Sequence, residues 1–164
     1  MEQVDKINSN GVQLDEVVNG LLGDKLNTLD NYVAQVRTCF MSGKEILDED
    51  LAKIVLQIPV FIYDVIEFAQ QMEMRKGIAA EQATVAENEQ LLNATGTVQE
   101  KKAKAENATV QDRFIEMAYK TAASIINRKV EGAIDILNSA RKIQATRQKE
   151  KYLTEAAGNG VGAF

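Results

Sequence analysis

Apolar positions along this chain recur every three to four residues over most of its length. Leu14, Val17, Val18, Leu21 and Leu22 fall at i, i+3, i+4, i+7 and i+8, which lines one face of an α-helix and predicts a first helix from about Val12 to Leu22. Gly23 closes it, because glycine adopts the left-handed conformation of a helix C-cap without steric cost. A second stripe, Leu26, Leu29, Tyr32, Val33, Val36 and Phe40, predicts a helix from Asp24 to Met41, ended by Ser42-Gly43. A third helix starts near Asp48, where three consecutive acids meet the positive end of the helix dipole, and continues to about Leu92. Its most apolar part contains Pro59, but Leu51, Val55, Ile58, Ile62, Val65 and Ala69 hold the helical period across it, so a kink or restart is expected rather than a strand. Ile54, Ile58, Phe61, Ile62, Val65 and Ile66 are the expected core of this stretch. Asn93-Ala94-Thr95-Gly96 interrupts the pattern, and Thr97 with Glu100 forms a T-x-x-E capping box that opens a fourth helix reaching about Leu153.

At about 1.5 Å per residue the third and fourth helices would measure about 65 and about 80 Å. A compact chain of this size has a radius of gyration of only about 15 Å. Either the helices break, with Pro59, Gly77 and Gly132 as the candidate positions, or the fold is an elongated helical hairpin. The expected organisation is all-α: two shorter N-terminal helices in residues 1–44, a long hairpin in residues 45–153 with its turn near residues 93–96, and a flexible tail in residues 154–164. Ala79, Ala80, Ala83, Ala86, Ala103, Ala105 and Ala108 crowd the hairpin tip and bury little area, which argues for self-association. A bent monomeric bundle is the alternative.

Composition agrees with the all-α reading. Aromatics make up 5% of 164 residues, tryptophan is absent and Pro59 is the only proline, so the turn chemistry of a sandwich or barrel is missing. The first residues lack the basic and apolar stretches of a signal peptide, and Ile54 to Ile66 is too short for a membrane span, so a cytoplasmic protein without membrane contact is expected. Cys39 is the only cysteine; with no histidine anywhere to deprotonate it, it reads as a buried helix residue beside Phe40. The lack of histidine also removes the commonest general base and metal ligand. Asp48-Glu49-Asp50 reads as helix-terminus charge, since successive helix residues do not face one cation. No enzyme activity and no cofactor are expected.

Charge changes the picture more. Residues 1–100 carry seven Lys and Arg against seventeen Asp and Glu, whereas residues 101–151 carry twelve against six. The net charge of −5 therefore conceals a basic helix on an acidic body, a distribution that points to a polyanionic partner. Lys101, Lys102, Lys104, Arg128, Lys129, Arg141, Lys142, Arg147 and Lys149 are the candidate nucleic-acid contacts. Val130, Ala133, Ile134, Leu137 and Ala140 form the inward stripe of the same helix. Cationic side chains can bind phosphates, and Tyr152 can stack on an unpaired base. The competing reading is a solvated face, or one that pairs with the acidic helices of a neighbouring copy.

The segment Gly132 to Gln144, G-A-I-D-I-L-N-S-A-R-K-I-Q, followed by Arg147, resembles the basic C-terminal helix of the UvsY-type recombination mediators of tailed phages. The resemblance covers roughly Thr97 to Glu150. It implies a homo-oligomer that binds single-stranded DNA and helps a recombinase displace single-strand-binding protein, in the host cytoplasm, with Arg128, Lys129, Arg141, Lys142 and Arg147 in the assembly or binding helix. The family's basic L-K-A-R-E-like motif has only partial counterparts here, Met74-Arg75-Lys76-Gly77 and Lys101 to Glu106. The expected function is accordingly a single-stranded DNA-binding recombination accessory protein. The alternative is an oligomeric structural or scaffolding protein of a phage, assembled through its long helices.

Overall fold

The computed structural model describes residues 13–159. They form four helices, with no strand among them: α1 (residues 13–22), α2 (Asn27–Met41), α3 (Asp48–Asn93) and α4 (Val98–Asn159). The all-α expectation holds, and α3 and α4 pack against each other as a hairpin. Val12, the expected first residue of α1, lies outside the described residues.

Local chemistry sets the helix ends. Gly23 has φ +48° and donates its N–H to the Asn19 carbonyl at 2.9 Å, which caps α1 as its sequence implies. Between α3 and α4, Gly96 has φ +122°, which strains any residue with a Cβ, and a Cβ there would also stand 2.5 Å from a Glu100 carboxylate oxygen and displace it. The Glu100 carboxylate is held there by the capping box. It accepts the Thr97 N–H at 2.8 Å, while the Thr97 hydroxyl accepts the Glu100 N–H at 3.3 Å. These bonds, the Thr97 amide foremost, lower the Glu100 pKa.

Neither long helix breaks. α3 passes through Pro59 and Gly77, and α4 passes through Gly132. An interior proline costs about 3 kcal/mol; on either side of Pro59, Ile54, Ile58, Ile62 and Val65 are buried, and that burial offsets it. At Gly132 a Cβ would lie 3.4 Å from Arg37 Nη2, an ordinary van der Waals contact.

The described residues group into two compact units. One combines residues 13–26 with Val65–Arg128. Its buried side chains include Val18, Leu22, Leu26 and Met72, but towards the turn they are reduced to Ala79, Ala83 and Ala105. The other combines Asn27–Asp64 with residues 129–159. Leu29, Val36, Leu51, Ile54, Ile58, Ile62, Ile136 and Leu137 fill it, and Tyr32 meets Phe61 edge to face with ring centres 5.2 Å apart.

Each short helix buries its apolar stripe in a different unit, α1 in the first and α2 in the second. Residues 154–159, expected in a flexible tail, are helical and continue α4; residues 160–164 lie outside the described residues. Two expectations about burial are corrected. Ile66 is 40% exposed rather than core, because it falls off the stripe defined by Ile62, Val65 and Ala69. Cys39 is exposed rather than buried.

Candidate nucleic-acid interface on the basic helix

The nine candidate cations divide between the two units. In the first, Lys101 is half-buried and Lys102 exposed, while Lys104 donates to the Thr95 carbonyl at 3.1 Å across the hairpin turn. Arg128 is exposed and donates to the Ser124 hydroxyl at 3.3 Å. Arg113 of the same unit is committed to Glu87 and Glu116 at 3.1 and 3.2 Å, and these partners, Glu87 foremost, raise its pKa.

In the second unit the cations sort by helical face. Arg147 and Lys151, one turn apart, point at the start of α3. The Arg147 guanidinium donates to the Ile46 carbonyl and, at 2.9 Å, to Asp48 Oδ1, with Glu45 at 3.8 Å. Lys151 Nζ meets Asp48 Oδ2 at 2.6 Å. Hydrogen bonds from Lys151 and then Arg147 hold the Asp48 carboxyl below its ordinary pKa. Arg147, only 25% exposed along its side chain, thus ties α4 to the loop before α3. Lys129 is likewise held, by Asp30 of α2 at 2.8 Å. Arg147 and Lys129, assigned by sequence to phosphate, thus both make intrachain ion pairs.

What remains is a face turned away from the core. Asn138, Lys142, Ala145, Lys149 and Tyr152 follow one another at intervals of four, three, four and three residues, and Arg141 flanks Lys142; all are exposed. Ala133, Ile136, Leu137 and Ala140 are buried on the opposite side. Among the described residues Arg141, Lys142 and Lys149 have no acidic partner. Lys142 and Lys149 are separated by two turns, about 10 Å along the axis. The Tyr152 ring is 72% exposed at the end of the row. Such a face can neutralise successive phosphates and offer a flat ring to a base.

Charge runs and the i, i+4 spacing of Arg147 and Lys151 were visible in the sequence. Their acidic partner lies about a hundred positions away, and no local spacing signals it. Asn138 carries no charge and gives a sequence reading nothing to select.

Elsewhere in the second unit, Tyr32, Val36, Cys39, Ile46, Lys53 and Ile54 line part of an open cavity of about 400 Å³. Burial, then the Asp50 charge, raises the Tyr32 pKa. Among the described residues no group of three or more acidic, histidine or cysteine side chains could hold a metal ion, and no helix is long and apolar enough to cross a membrane.

No family model matches the chain, and no curated protein or solved structure is similar to it.

Proposed function

We propose that this protein binds single-stranded nucleic acid through the outer face of α4 between Asn138 and Tyr152, as a non-enzymatic accessory factor in DNA recombination acting in the cytoplasm of a bacterial host. One observation carries the reading. Once the intrachain ion pairs of the second unit are assigned, Arg141, Lys142 and Lys149 are left together on one exposed face beside an exposed tyrosine. The likeness of Gly132 to Gln144 to the recombination mediators supports the same helix and adds a recombinase and a single-strand-binding protein as partners.

On a single strand each neutralised phosphate contributes about −0.7 to the slope of log affinity against log salt. Replacing Arg141, Lys142 and Lys149 by alanine should flatten that slope by about 2 and weaken binding to all sequences alike, as measured by oligonucleotide anisotropy. Helicity should persist, because alanine is the best helix former. Unchanged affinity and slope in the triple variant would remove this face from the interface. Arg147→Ala serves as the contrasting variant, lowering stability while leaving the slope in place.

The scaffolding alternative draws on different side chains, the exposed apolar ones of α3. The two readings are compatible, since none of these belongs to the basic face.

A further inference from the structure

The open cavity of about 400 Å³ in the second unit lies between α2, the start of α3 and the loop that joins them. The chain's own bonds set its walls. Gly43 turns at φ +66°, a left-handed conformation that glycine adopts without steric cost. The Ser42 hydroxyl donates to the Cys39 carbonyl at 2.8 Å and accepts the Lys44 N–H at 3.3 Å. The Ile46 carbonyl accepts from Arg147, and the Tyr32 ring is held edge to face by Phe61. A ligand meets walls already in place, so little of its affinity is lost in ordering them.

The floor is apolar. Val36 and Ile54 are 4% and 5% exposed, with the half-buried Tyr32 and Ile46 beside them. At the rim most charge is cancelled: Lys53 lies between Glu49 at 3.1 Å and Asp50 at 3.7 Å, and Glu45 faces Arg147 at 3.8 Å. Because burial and then Asp50 raise the Tyr32 pKa, its hydroxyl stays protonated near neutral pH and can donate. Among the described residues that hydroxyl and the Gln35 and Gln57 amides make no hydrogen bond, and the Lys44 ammonium meets no acid. The lining thus offers an apolar slot, three neutral groups that both donate and accept, and one cation.

We infer that this cavity takes one nucleotide, its base against Val36, Ile54 and Tyr32, the base edge hydrogen-bonded by Gln35 and Gln57, and its phosphate on Lys44. A base is flat and uncharged and carries donors and acceptors along its edge, which glutamine amides match and an aromatic ring complements. An aliphatic ligand would strip water from the amides and the hydroxyl without replacing it. The volume sits at the small end of the roughly 300–1,000 Å³ usual for ligand sites, which suits a single nucleotide rather than a length of strand. The same chemistry belongs to a free nucleotide and to one base lifted out of a single strand. The assignment stands without the α4 face.

Cys39 lines the cavity, is exposed and is the only cysteine, so its alkylation by iodoacetamide reports occupancy in the full chain. At about ten times its dissociation constant a ligand leaves roughly one cavity in ten free, so the reaction should slow about tenfold. At least one of the adenosine, guanosine, cytidine and uridine monophosphates should do this. Lys44→Ala should weaken that protection but not the protection given by the corresponding nucleoside. Gln35→Leu with Gln57→Leu, both at exposed positions, should abolish both, with helicity and the unliganded alkylation rate unchanged. An oligonucleotide of the protecting base that slows the reaction equally identifies the strand as the source; one that leaves it fast identifies the free nucleotide. Nucleotide protection should persist when Arg141, Lys142 and Lys149 are replaced by alanine, which separates this site from the α4 face. No protection by any of the monophosphates would overturn the inference, as would equal protection by indole, a flat ring without an acceptor on its edge.

Discussion

Arg147 shows how one side chain changes meaning once its surroundings are known. As one of five cations between Ser139 and Lys151 it looks like a phosphate contact; in the fold its Nη1 donates to Ile46 and Asp48. Asp48, which receives both Arg147 and Lys151, makes the tie dependent on pH. Its folded pKa is lowered, so its contribution to stability is fully present above the unfolded carboxyl value and is lost as pH falls through the folded one. Acid titration of unfolding should therefore show a steeper loss below about pH 4 in the wild type than in Asp48→Asn. Equal profiles would show the tie to be energetically silent. The two isoleucines in and beside the Pro59 segment make a second contrast. Ile58 is fully buried and Ile66 is 40% exposed. Ile58→Ala should cost about 2 to 5 kcal/mol in urea unfolding, whereas Ile66→Ala, a surface change, should stay within about 0.5 kcal/mol. Similar costs at the two positions would mean Ile66 is covered in solution.

At the level of helices, ends were more legible than interiors. Glycine at positive φ and the Thr97–Glu100 pair act over a few residues, so Gly23, Gly96 and the start of α4 follow from sequence alone. Pro59, Gly77 and Gly132 are local helix breakers that tertiary packing overrides, and local rules cannot weigh that packing. The opposite end of α4 shows the converse. The helix continues to Asn159, past the last apolar position that a periodicity reading follows.

Across the molecule, burial is uneven. In the unit formed by residues 13–26 and Val65–Arg128, the side chains buried near the hairpin turn are alanines and Thr109, whereas the unit holding Asn27–Asp64 is filled largely by leucine and isoleucine. At about 0.8 kcal/mol per buried methylene, the alanine-lined stretch has far less to hold it closed. Amide exchange should therefore be faster at Ala79 to Ala83 and Lys104 to Thr109 than at Val130 to Ala140. Equal protection would mean that other contacts, such as a second copy, hold the tip. Charge is uneven in the same way: the net −5 averages cations of α4 that have no acidic partner among the described residues with acids committed to Arg147, Lys151 and Lys129.

The sequence by itself determined the helical class, the number of helices, most of their ends and, apart from Ile134, which is 40% exposed, the inward stripe of α4, because periodicity, capping and backbone conformation act over a few neighbouring residues. Only the tertiary structure decided which cations are spoken for among the described residues and that the long helices stay unbroken. Each of these depends on residues brought together from as far as a hundred positions apart, and such proximity has no signature in local spacing.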